Sequence, residues 1–185
     1  MLQKVWDFTK SPDGMLWRHI STETKLKTIL HLLSWGLFLG LSIGLFIGWI
    51  TDLLEIDLGT HATEKYLKNY SILWFIFLAV ILAPVLEELV FRGPLSWFRN
   101  KSYFKYIFYA SIILFAGVHL SNFRLPKETY ALAPILVAPQ MVLGAFLGYA
   151  RIRLGLFWAI ILHASYNAVL ILPIAMINLF NFSPT

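Results

Sequence analysis

Glu87, Glu88 and Arg92 stand in a stretch that is otherwise apolar, Ala83-Pro84-Val85-Leu86-Glu87-Glu88-Leu89-Val90-Phe91-Arg92-Gly93. A charge at the centre of a bilayer costs about 2.5 to 3.5 kcal/mol on insertion scales, so charges kept there are functional candidates by default. On a helix Glu88 and Arg92 (i, i+4) share a face and can pair, which lowers the cost of burying either. Glu87 is turned about 100° away and can face a different neighbour. One carboxylate is held and the other is offered, so Glu87 is the one expected to do chemistry. The competing reading is a structural Glu–Arg staple with Glu87 snorkelling to water.

Four more polar groups sit in apolar segments. His119 follows Phe115 by one helical turn, and His163 and Asn167 are also i, i+4, so each pair shares a face. Gln140 is a polar lining residue or, more plainly, a hydrogen-bonding link between helices. Depth follows from the helical rise. Measured from the basic ends, Glu87 lies about 18 Å in if its helix runs to Arg99, His119 about 24 Å, His163 about 15 Å and Asn167 about 21 Å. At those depths each would leave a donor or acceptor in hydrocarbon unless they satisfied one another or water. A helix that stopped at Arg92 would strand Glu87 near the interface, so convergence requires continuation through Gly93-Pro94.

The elements that must hold these groups are membrane spans. The chain has 185 residues, 58% hydrophobic and 14% charged, with mean hydropathy +0.70, against about 25% charged in soluble domains. The expected fold is all-α, a multi-pass transmembrane helix bundle of about five spans: residues 29–50, 71–99, 103–120, 131–150 and 154–172, the last bent or ended by Pro173. Residues 1–28 form an interfacial N-terminal segment with a turn at Ser11-Pro12-Asp13-Gly14. Residues 29–70 are the first span and an acidic external loop with room for a short helix, and residues 71–180 are the catalytic core. Eleven Lys and Arg fall in the N-terminal segment and around the connections after span two (counting Arg92, Arg99, Lys101 and Lys105) and span four, and four in the other loops. That bias places the N-terminus in the cytoplasm and points to the cell membrane. With no cysteine, thiolate nucleophiles and Cys-ligated zinc are excluded, and the lack of a basic stripe with interleaved aromatics sets nucleic acid aside. Gly36, Gly40, Gly44 and Gly48 recur every fourth residue, a stripe for close helix packing within the bundle or between copies as a homo-oligomer.

Glu87-Glu88-x-x-x-Arg92, then Phe115-x-x-x-His119, then His163-x-x-x-Asn167, in that order on successive spans, resembles the CAAX prenyl protease and bacteriocin-processing (Abi-type) enzymes. The resemblance covers about residues 71–172. It implies an intramembrane endopeptidase acting on a membrane-anchored peptide or protein, either CAAX-type or a bacteriocin or leader sequence. It also implies roles: Glu87 as general base, His119 positioning the water, His163 and Asn167 donating to the oxyanion, and Arg92 holding Glu88. A metal is open. Glu87, His119 and His163 could ligate zinc with a position left for water, but no His-Glu-x-x-His pair is present, and a metal-independent glutamate mechanism is favoured. The alternatives are a catalytically silent immunity or scaffold protein of the same fold and an ion-coupled transporter, which would call for internal repeats that the five spans do not show.

Overall fold

A computed structural model of the chain describes residues 1–59 and 70–181. The expected acidic loop, residues 51–70, is described only in part: residues 60–69, with Glu64, Lys65 and Lys68, lie outside the described residues, as do the last four residues of the tail. Among the described residues five helical segments are long and apolar enough to cross a membrane, and the chain is an all-α multi-pass bundle. A short amphipathic helix, α1 (Leu2–Lys10), precedes them.

The first span, α2 (Thr22–Leu53), begins seven residues earlier than the apolar run. Ser21 is the reason. Its Oγ accepts from the Thr24 backbone N–H at 3.2 Å, an N-cap that satisfies one orphan donor. The polar first turns then propagate with a Lys27–Glu23 pair at 2.6 Å. Span two, α3 (Ile72–Phe98), continues through Gly93 and Pro94, both in right-handed helical backbone. After α4 (Phe104–Val118), the fourth span gathers two short turns into α5 (Ala138–Leu154). Gly155, at φ 106°, makes the sharp reversal into α6 (Leu156–Asn181); a side chain there would be strained. Pro173 does not end the helix: α6 runs through it to Asn181, losing the backbone hydrogen bond that a proline cannot donate.

The core is centred on α5, which packs against α2, α4 and α6. Phe108, Phe115, Leu147, Tyr149, Ala150 and Leu162 are among its fully enclosed side chains. The glycine stripe is split. Gly36 and Gly40 face Tyr166 of α6, whereas a methyl added at Gly44 or Gly48 would meet no atom within 4 Å.

Two stretches of α3 are wound as π-helix, Phe77–Leu82 and Glu88–Arg92. Each ends just before a proline. In the first, Ala83 N–H bonds Leu78 O; the next bond in that register would run from Pro84 to Ala79 O, and Pro84 has no N–H. Asn167 Nδ2 takes its place, donating to Ala79 O at 2.8 Å. In the second, Gly93 N–H reaches Glu88 O at 2.8 Å. The nearby carbonyls are taken by side chains of other spans: Ser111 Oγ donates to Phe91 O at 2.8 Å, Arg151 Nε to Arg92 O at 2.8 Å and Arg151 Nη2 to Gly93 O at 3.1 Å. In lipid every such group must be satisfied internally, so these bonds both permit the wide turns and fix α3 against α4, α5 and α6.

The N-terminal segment clasps the same end of the bundle. Val5 and Phe8 of α1 are buried, and Phe8 packs edge-on against Phe108 and Tyr149 at 5.1 and 5.3 Å. At the predicted turn, Asp13 takes Arg153 on both carboxylate oxygens, Nη2 to Oδ2 at 2.7 Å. Arg99 Nε and Nη2 donate to Gly14 O at 3.0 and 2.7 Å. The hydrogen-bonded Arg153 guanidinium, outweighing the effect of burial, holds the Asp13 carboxyl below its ordinary range.

Candidate active site

Glu87 and Glu88 sit where α3 passes from an α turn (Ala83–Glu87) into the second π-helical turn, a kind of junction common at functional sites. Glu88 and Arg92 are both fully enclosed, and Arg92 Nη1 lies 3.2 Å from Glu88 Oε1. The guanidinium also lies 3.9 Å above the ring of Phe115, and its Nη2 donates to Gly144 O at 3.5 Å. Phe115 in turn touches both His119 and His163, with ring centroids 4.6 and 5.6 Å away. One aromatic ring therefore spaces the cation from the two imidazoles.

Each imidazole is oriented from behind. His119 Nδ1 lies 2.8 Å from Phe115 O; a carbonyl only accepts, so Nδ1 carries the proton. His163 Nδ1 lies 3.0 Å from Glu88 Oε1, and the carboxylate paired with Arg92 accepts there too. Both Nε2 atoms are thereby turned toward Glu87, whose Oε2 is 3.9 Å from His119 and 3.8 Å from His163. Those gaps are too long for direct hydrogen bonds, and each is short enough for one oxygen to bridge. Glu87 Oε2 is itself buried without a hydrogen-bond partner among the described residues.

The structure thus gathers Glu87, Glu88, Arg92, His119 and His163, from three spans, around one point. Asn167 stands beside it on the wall of the same cavity, but one of its amide hydrogens is committed to Ala79 O, leaving the other for a ligand. Helical spacing pairs Glu88 with Arg92 but does not reveal its second partner, His163, which lies 75 positions away. Nor does it reveal Ser111 and Arg151, which bond the carbonyls of Phe91, Arg92 and Gly93; for the Asn167–Ala79 bond Pro84 is the available signal, since it leaves an orphan carbonyl about one turn earlier. Facing Glu87 is a cavity of about 440 Å³ between α3 and α6, walled by Leu78, Leu82, Leu86 and Leu170 around the polar groups.

The donor set suits zinc in kind: a carboxylate oxygen and two imidazole lone pairs, each ring held by an outer partner, as metal-bound histidines are. Ligand atoms about 2.0–2.1 Å from a tetrahedral ion stand about 3.4 Å apart. The observed 3.8 and 3.9 Å would have to close by about half an ångström, and no three such side chains among the described residues are grouped tightly enough as they stand.

Comparison with known proteins gives the family. No solved structure matches the chain. The UPF0177 protein YbdI of Lactococcus lactis subsp. lactis (strain IL1403) is 28% identical over 159 residues, which cover 83% of this chain and 81% of that protein. The family model for type II CAAX prenyl endopeptidase Rce1-like proteins matches residues 69–169. That is more than half of the chain and holds every residue of the cluster, so this integral membrane protein belongs to the Rce1-like family of type II CAAX prenyl endopeptidases.

Proposed function

We propose that the chain is an intramembrane endopeptidase that hydrolyses a peptide bond of a membrane-anchored substrate, CAAX-type or leader-type, with water activated by Glu87. The observation that carries this reading is the convergence of Glu87 Oε2 and two back-oriented Nε2 atoms within 3.9 Å at a cavity reached between two spans.

The step uses His163 with a hydrogen on each ring nitrogen, Nδ1–H on Glu88 and Nε2–H pointing inward. Glu87 then takes a proton from the water as its oxygen bonds to the substrate carbonyl carbon, with His119 Nε2 accepting the water's other hydrogen. The developing oxyanion receives the His163 Nε2–H and the free amide hydrogen of Asn167, the placement of donors where charge appears that lowers such barriers most. As the C–N bond breaks, the proton on Glu87 passes to the leaving nitrogen, giving an acid and an amine. Were zinc bound, Glu87, His119 and His163 would hold it, and it would supply Lewis-acid polarisation and a more acidic water.

The N-terminus is assigned to the cytoplasmic side of the cell membrane, from the basic loops. Any homo-oligomer would use Gly44 and Gly48, because Gly36 and Gly40 are taken up inside the bundle. The test of the function is cleavage of a fluorescent farnesylated CAAX-type peptide in proteoliposomes, with metal analysis of the protein. Cleavage that survives chelation supports glutamate and water, cleavage lost on chelation and restored by zinc supports the metal form, and no cleavage of any anchored peptide rejects the reading.

A further inference from the structure

Gln140 lies in the first turn of α5, and its Oε1 is buried with no hydrogen-bond partner among the described residues. A link between helices through that oxygen would have it bonded. Leaving a buried acceptor unpaired is costly, so the position calls for a donor that arrives from elsewhere.

The cavities show where it arrives. The first, of about 440 Å³, reaches Glu87; a second, of about 320 Å³ between α2, α5 and α6, reaches His163. Their walls have four residues in common: His119, Gln140, Asn167 and Leu170. Glu87 Oε2 and His163 Nε2, one on each side, are 3.8 Å apart. A chain with one part in each cavity would meet that point and would have Gln140, on the wall of both, beside it. Beyond the polar wall the second cavity is lined by Leu41, Leu45 and Leu143.

We propose that Gln140 is a substrate-positioning residue: its Oε1 accepts a backbone N–H of an extended, apolar peptide next to the scissile bond as the peptide crosses from one cavity to the other. This deepens the endopeptidase reading and rests on it. It also means the site reads the substrate's backbone as well as its anchor.

The test uses a fluorescent peptide ending in an S-farnesylated cysteine, two aliphatic residues and a serine, with analogues N-methylated in turn at each peptide nitrogen. Against wild type, N-methylation at one nitrogen away from the scissile bond lowers kcat/KM about tenfold, the scale of one lost hydrogen bond with its partner left buried. Against Gln140→Met that discrimination disappears, the unmodified peptide is cleaved about tenfold less well, chiefly through KM, and the unfolding midpoint does not fall; Gln140→Glu, which keeps an acceptor, retains the discrimination. A Gln140→Met variant that cleaves like wild type, or that discriminates among the analogues as wild type does, overturns the proposal. If wild type leaves every peptide intact, the endopeptidase reading fails for this substrate, and fluorescence anisotropy of the same peptides on Glu87→Gln decides the inference. Rejection of one analogue that vanishes on adding Gln140→Met supports it, and equal binding of all analogues, or no saturable binding, overturns it.

Discussion

Arg92 and Glu88 make the sharpest energetic prediction. Both are wholly enclosed and stand 3.2 Å apart, a separation worth about 5 kcal/mol at an effective dielectric constant of about 20. Desolvation cancels much of that, so the pair contributes little net stability, yet removing one member leaves a buried charge with no counter-ion, at about 3–5 kcal/mol. Arg92→Met should sit at the upper end, because it also removes the cation stacked 3.9 Å from the Phe115 ring. Glu88→Met should cost about as much, because it strips Arg92 of its ion pair and His163 of its Nδ1 acceptor. The double variant Glu88→Met/Arg92→Met should be more stable than either single one, a coupling of at least about 2 kcal/mol, and should still be inactive because His163 is no longer oriented. Denaturant unfolding in mild detergent, run beside the peptide-cleavage assay, reads both quantities. Single variants costing under about 1 kcal/mol, or additive costs in the double, would refute the argument that the pair exists to hold a charge in place.

Gly148→Ala places a methyl 2.6 Å from the enclosed Phe108 ring and should cost about 1–3 kcal/mol, whereas Gly44→Ala should leave monomer stability unchanged or higher, both read from unfolding midpoints. Asn167→Ala should cost about 1–3 kcal/mol by orphaning Ala79 O; adding Pro84→Ala, which restores a backbone N–H, should recover part of that stability and none of the activity. The Asp13–Arg153 clasp has a defined pH window. With its folded pKa depressed, Asp13 contributes stability that is present above the ordinary carboxylate range and is lost as pH falls through the lowered folded value. Release of the N-terminal segment, followed by limited proteolysis, should therefore appear only under acid conditions in wild type and already at neutral pH in Asp13→Asn.

Which parts of this could be read from the chain follows from the physics of each. The five spans were legible because length and hydropathy alone define them. The charged trio was legible because carboxylates in an oily run have few reasons to be there, and the i, i+4 rule gave Glu88 its arginine. The start of α2 was not, because a single serine cap outweighed the polarity of the Thr22–Lys27 stretch. The π-helical turns were hidden because winding depends on which carbonyls other spans can satisfy, as Asn167, Ser111 and Arg151 do, and no local pattern encodes a partner many residues distant. The same holds for the Glu88–His163 bond and for the Asp13–Arg153 clasp, whose members are 140 positions apart. Gln140 reads in sequence as polar lining or helix link, and only the empty acceptor geometry of its Oε1 separates the two.

In the proposed reaction Glu87 is the group that takes the proton from water. Glu87→Gln keeps the side chain's size and its place on the cavity wall while removing the base, so the reconstituted variant should fold with an unchanged unfolding midpoint and lose essentially all cleavage of a peptide that wild type cuts. Cleavage by Glu87→Gln at a rate near that of wild type would contradict the account, and a wild type that cuts nothing while the bundle folds normally would point instead to a silent scaffold or immunity protein.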